Sequence, residues 1–119
     1  MIRLAWPDLG PEELAAVEEV FRSGQLTMGP RVEEFESALA SACEVEHAVV
    51  VSSGTAALHL AVLALGIGPG DEVIVPAYTF PATANVVALV GAQPVLVDVD
   101  PETMNVTRES VAAGLSPRT

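Results

Sequence analysis

Ser52-Ser53-Gly54-Thr55 places three hydroxyls and a glycine directly before an apolar helical stretch. The first peptide N–H groups of a helix have no partner inside it and favour an anion. Gly54 lets the backbone approach a ligand closely, and the Ser53 and Thr55 hydroxyls add donors. Phosphate binding is the chemistry such a turn supports. Helix capping is the alternative, because Ser and Thr are also preferred caps.

A second group, Pro76-Ala77-Tyr78-Thr79-Phe80-Pro81, holds two of the chain's five aromatic residues. Phe80 suits stacking on a flat ring, with Tyr78 lending a hydroxyl; filling of the core is the alternative. A third group, Asp98-Val99-Asp100-Pro101, offers carboxylates to a metal or a sugar hydroxyl. Metal sites use more ligands than two carboxylates in sequence, which favours turn formation and capping there. His47 and His59 have no Cys or His at ligand spacing and read as structural, so no metal is expected. Cys43 falls late in an amphipathic pattern and reads as a small core residue. A single cysteine excludes an internal disulfide. No G-x-S-x-G elbow, Walker loop or G-x-G-x-x-G run is present, which removes the usual support for hydrolase, nucleotidase and dinucleotide chemistry.

The elements that must position these groups follow from local signals. Pro11 with Glu12 and Glu13 opens a helix carrying Leu14, Val17 and Phe21, and Gly24 stops it. Pro30 opens a second, with Val32, Phe35, Leu39 and Ala42 as its apolar stripe. Residues 48–51 are a β-branched run, expected as a buried strand. Residues 56–65 are apolar nearly all round apart from His59, so that helix needs cover on most sides. Strands are expected at 73–75 and 95–99, helices at 81–90 and 108–114, the last capped by Thr107. Strands alternating with short helices mean a parallel sheet. Right-handed crossovers bring the strand C-termini to one edge, where open α/β sheets bind ligands. All three chemical groups fall at that edge. Residues 1–46 are thus expected as a helical leading segment and 47–119 as a βαβαβ portion of one domain.

Composition narrows the partners. The net charge is −11, from 16 acidic and 5 basic residues. The arginines, Arg3, Arg22, Arg31, Arg108 and Arg118, are scattered and lysine is absent. Nucleic acid and anionic membrane need clustered Lys and Arg, so neither is an expected partner. Trp6, Pro7, Asp8 and Gly10 interrupt any signal-peptide run, and the longest apolar stretch is too short to span a bilayer. A cytoplasmic protein is the expectation. Half of the 119 residues are apolar. A chain this short buries only about two-thirds of its unfolded surface, so the sequence suits the interior of a larger body and a truncated piece is expected.

Several blocks together resemble a known family. Gly24-Gln25-Leu26-Thr27-Met28-Gly29-Pro30 followed by Phe35-Glu36, then Ser53-Gly54-Thr55-Ala56-Ala57-Leu58, look like its first segments. Residues 66–76, Thr79-Phe80-Pro81-Ala82-Thr83, and the stretch from Gly91-Ala92 to Asp98-Val99-Asp100 match its next blocks in order. The chain resembles the N-terminal part of DegT/DnrJ/StrS-type sugar aminotransferases over nearly its whole length.

The resemblance implies an α/β fold, a mostly parallel sheet with flanking helices. It would form part of an aspartate-aminotransferase-like (fold type I) large domain that binds pyridoxal 5′-phosphate. It implies amino transfer from glutamate or glutamine to a keto-sugar, typically nucleotide-linked, for amino-sugar or cell-surface polysaccharide biosynthesis. A homodimer is implied for the full-length enzyme. Carried onto this sequence, Ser53, Gly54 and Thr55 hold the cofactor phosphate and Phe80 stacks on its ring. Thr27, Met28, Gly29 and Pro30 lie near the substrate. The Schiff-base lysine lies downstream of these residues, so the chain alone is expected to be inactive. Two alternatives are a sugar dehydratase of the same family and a non-catalytic dimerisation module.

Overall fold

The computed structural model describes residues 5–119. The chain separates into two units, Met1–Val50 and Val51–Thr119. The first four residues of the expected leading segment, Arg3 among them, lie outside the described residues.

The first unit carries two helices, α1 (Pro11–Ser23) and α2 (Pro30–Ala42), both starting at the expected prolines. Proline fits the first helical position because its missing N–H has no use there. The Gly10 N–H donates to the Glu13 carboxylate at 2.6 Å, which holds that carboxyl below its usual range. Gly24 takes φ +71° and ends α1 in the left-handed cap that glycine adopts without strain. Arg31 forms ion pairs with Glu19 of α1 and Glu34 of α2, and both raise its pKa. Leu14 and Phe21 leave about 70% of their surface exposed, so the α1 stripe has no cover within its unit. Cys43 is exposed at the C-cap of α2 rather than a core residue. The helix ends there, so the periodic pattern that placed Cys43 inside no longer applies.

The second unit runs α3 (Gly54–Ala64), β1 (Glu72–Pro76), α4 (Ala82–Leu89), β2 (Gln93–Val97) and α5 (Arg108–Gly114). β1 and β2 pair in parallel with Glu72 opposite Gln93 and Pro76 opposite Val97. β2 begins and ends two residues before the expected 95–99, because Gln93 N–H already bonds Asp71 O at 2.9 Å. Val75, Val86, Val87 and Ala92 form the core, with Ile67, Val73, Ala84 and Val90 packed around them.

The expected strand at 48–51 does not form, so the second unit is not the full βαβαβ portion read from the sequence. A parallel strand exists only against a neighbour, and no described residue pairs with this segment. Its Val50 N–H donates instead to the Glu36 carboxylate at 2.9 Å.

α5 lies close on the sheet because Gly114 has no side chain. A Cβ there would stand 2.8 Å from Val97 Cγ1 and 3.4 Å from Ile74 Cδ1. Gly114→Ala is expected to destabilise the protein by about 1–3 kcal/mol through overpacking. Denaturant melts of the full-length protein check this, and an unchanged midpoint would mean that α5 can retreat freely.

At the start of β1, Glu72 is nearly buried and clamps the C-terminal residues. Its carboxylate accepts from the Ser116 hydroxyl and from the Arg118 guanidinium, whose Nε lies 3.0 Å from Oε1, and its N–H bonds Arg118 O at 2.9 Å. The Ser116 hydroxyl, and after it Arg118, hold this carboxyl below its usual range against the opposing effect of burial. A lowered folded pKa stabilises above the unfolded value, about 4.3. The gain is lost as pH falls from there through the folded pKa. Between pH 6 and 3.5 the wild type is expected to lose more Tm than Glu72→Gln. Equal losses would show that the clamp carries no pH-dependent stability.

Candidate functional site

A cleft of about 680 Å³ opens in the second unit between α3 and the start of α4. Gly54, Thr55, Ala57, Leu58 and Ala61 line one side; Phe80, Ala82 and Thr83 line the other. Its volume falls in the range of small-molecule sites, and its lining is mostly apolar with two hydroxyls, those of Thr55 and Thr83. No carboxylate lines it, although the chain carries 16 acidic residues. An anion therefore meets no like charge among its walls.

Local sequence explains both sides. Ser53 is the N-cap of α3, and its hydroxyl accepts from Ala56 N–H at 3.1 Å. The capping role is thus real, and it leaves the Gly54 and Thr55 N–H groups without a hydrogen-bond partner among the described residues. These are the free amides that suit an anion at a helix start. A Cβ built on Gly54 would meet nothing within 4 Å, so the backbone borders open space. Across the cleft, Phe80 is 75% exposed. Its ring is no part of the core, which was the competing expectation.

The structure brings Gly54, Thr55 and Phe80 to one cleft and leaves Ser53 at its edge as the cap. Tyr78 is also exposed but does not line the cleft. Leu58, Ala61 and Thr83 were not singled out as site residues from sequence. Thr83 had a readable signal, standing three residues after Phe80 and four after Thr79, one helical turn away.

The segment expected near the substrate belongs to the first unit. Met28, Gly29 and Pro30 line a separate cleft of about 300 Å³ with Gln25, Leu26 and Arg31; Thr27 does not line it. Met28 takes φ +52°, uncommon for a residue with a side chain. Its carbonyl is held by the Gln25 amide at 3.2 Å. Gly29 is buried, and a Cβ there would lie 3.2 Å from Gln25 O.

The acids after β2 act as turn formers. Asp100 accepts from Glu102 and Thr103 N–H at 3.0 and 2.8 Å, and those bonds, Thr103 first, lower its pKa. Asp98 accepts from Val99 N–H. Among the described residues no group of three or more His, Cys, Asp or Glu is placed to hold a metal. No described helix is long and apolar enough to cross a membrane.

Residues 7–119 match the model of the DegT/DnrJ/EryC1/StrS aminotransferase family. The chain belongs to that family. Solved relatives agree. The aminotransferase TlmJ from Streptoalloteichus hindustanus is 49% identical with a TM-score of 0.93, over 99% of this chain and 33% of its own. An aminotransferase from Psychrobacter cryohalolentis is 41% identical with a TM-score of 0.90, over 97% and 30%. The candidate sugar aminotransferase Spr1654 from Streptococcus pneumoniae is 37% identical with a TM-score of 0.92, over 98% and 30%, and has been solved in PLP and PMP forms. The chain thus spans about a third of the length of these relatives and has the α/β fold of the corresponding part of these DegT/DnrJ/EryC1/StrS enzymes.

Proposed function

We propose that the full-length protein carrying this chain is a pyridoxal 5′-phosphate-dependent aminotransferase. It moves an amino group from glutamate or glutamine to a keto-sugar, nucleotide-linked, in amino-sugar or polysaccharide biosynthesis. It works as a cytoplasmic homodimer. The observation that carries this reading is the cleft of a family member that joins Gly54, Thr55 and Phe80 and holds no carboxylate.

The residues present fit the cofactor. The free N–H groups of Gly54 and Thr55, with the Thr55 hydroxyl, are suited to its phosphate, with Ser53 fixing the turn they stand on. Phe80 offers a flat exposed face to a pyridine ring. Leu58, Ala61 and Ala82 form the apolar side of the cleft. When bound, the cofactor supplies an electron sink for chemistry at the amine-bearing carbon. The lysine that anchors it in the resembled family has no counterpart among these lysine-free residues. Thr27, Met28, Gly29 and Pro30 are proposed as the sugar-side segment.

Purified full-length protein should take up pyridoxal phosphate, seen as a bound-cofactor absorbance band. It should form 2-oxoglutarate from glutamate when a keto-sugar nucleotide is present. The absence of both band and product, with cofactor in excess, would overturn the reading. Phe80→Ala should weaken cofactor binding about two- to tenfold, the worth of one aromatic stacking contact, with the melting curve unchanged. Loss of folding without loss of affinity would return Phe80 to the core.

A further inference from the structure

Three-quarters of the Phe80 surface is exposed, so packing does little to fix its ring. Its placement then rests mainly on the main chain at residues 79–80. One residue ties both of those positions. Thr83 N–H donates to the Phe80 carbonyl at 3.1 Å, and the Thr83 hydroxyl lies 3.3 Å from the Thr79 hydroxyl, either able to donate.

The tie ends on something rigid. Thr83 stands in the first turn of α4, beside buried Ala82 and one turn before core residues Val86 and Val87. No side chain among the described residues caps this helix start, and Pro81 has no N–H to give. Among the described residues the hydroxyl bridge is the side-chain hydrogen bond that closes this turn over Phe80. Thr83 also lines the cleft.

We infer that the Thr79–Thr83 hydroxyl bridge sets the Phe80 ring for its ligand, which makes Thr83 a positioning residue. This rests on the cofactor reading of the cleft. The bridge acts as a unit, so breaking it from either side has the same effect. Valine keeps the shape of threonine and removes the hydroxyl; serine keeps the hydroxyl.

The test is pyridoxal phosphate titration of the full-length protein, with Thr79→Val, Thr83→Val, the double variant and Thr83→Ser. Each single Val variant should weaken binding about fivefold, as expected of one lost hydrogen bond. The double variant should be no weaker, and Thr83→Ser should bind within about twofold of wild type, since residues acting as one unit do not add. A second reading needs no cofactor: amide exchange at Thr83 should speed up in both Val variants. Additive losses, or a loss in Thr83→Val alone, would mean that Thr83 touches the ligand directly and overturn the positioning role. Unchanged binding and exchange would overturn it too. A wild type that binds no pyridoxal phosphate overturns the cofactor reading instead. Amide exchange then decides the bridge alone, faster exchange sustaining it and unchanged exchange ending it.

Discussion

Gly54→Val is expected to weaken pyridoxal phosphate binding by the full-length protein at least tenfold, about 1.4 kcal/mol, while leaving its folding intact. Two observations separate the effects. A Cβ at position 54 meets no protein atom within 4 Å, so the new side chain creates no clash in the unliganded protein. Gly54 has no positive φ, unlike Gly24, Gly66, Gly70 and Gly91, so valine needs no strained backbone either. What the side chain does occupy is the space beside the free Gly54 and Thr55 amides, where an anion has to come close. The cost therefore falls on the ligand. The check is a cofactor titration beside a thermal melt. Full affinity in the variant would leave the Ser53–Thr55 turn as a helix cap and nothing more. A lower Tm with unchanged affinity would mean that the glycine serves α3 itself.

The difference between what this sequence discloses and what it hides follows the range of the forces involved. α1, α2 and α5 begin where Pro11, Pro30 and Thr107 say they should, because helix starts are set by residues within one turn. Thr107 and Ser110 hold each other's N–H groups, a reciprocal cap written in four consecutive positions. Gly54 and Phe80 were legible as cleft-lining residues for a similar reason: each sits where a strand-like run gives way to a helix. The strand expected at 48–51 is absent, because β-branched residues supply the propensity but pairing needs a partner from elsewhere in the chain. Leu58 and Thr83 escaped notice as lining residues because the cleft exists only where α3 packs against α4. Cys43 misled because amphipathic spacing says which face a residue shares and nothing about what covers that face.

The 119-residue chain by itself is expected to show helical structure without a cooperative melt. Within the second unit much apolar surface stays in water. On α3, Leu60 and Leu63 leave half their surface in water, and the helix has no buried residue. The core shared by β1, α4 and β2 is made of small side chains, Val75, Val86, Val87 and Ala92, so little apolar area offsets the entropy of ordering the chain. Among the described residues β1 has one strand neighbour, and its other edge can pair with another chain. Far-UV circular dichroism should therefore report helix, a hydrophobic dye should bind, and near-UV signals should be weak. Amide protection should be low across residues 48–51, where Val50 has a carboxylate for a partner in place of a strand. Protection there close to that of Val75 and Val87, with a sharp melt, would show that these residues fold independently. It would favour the dimerisation-module alternative over a chain that needs further covering layers.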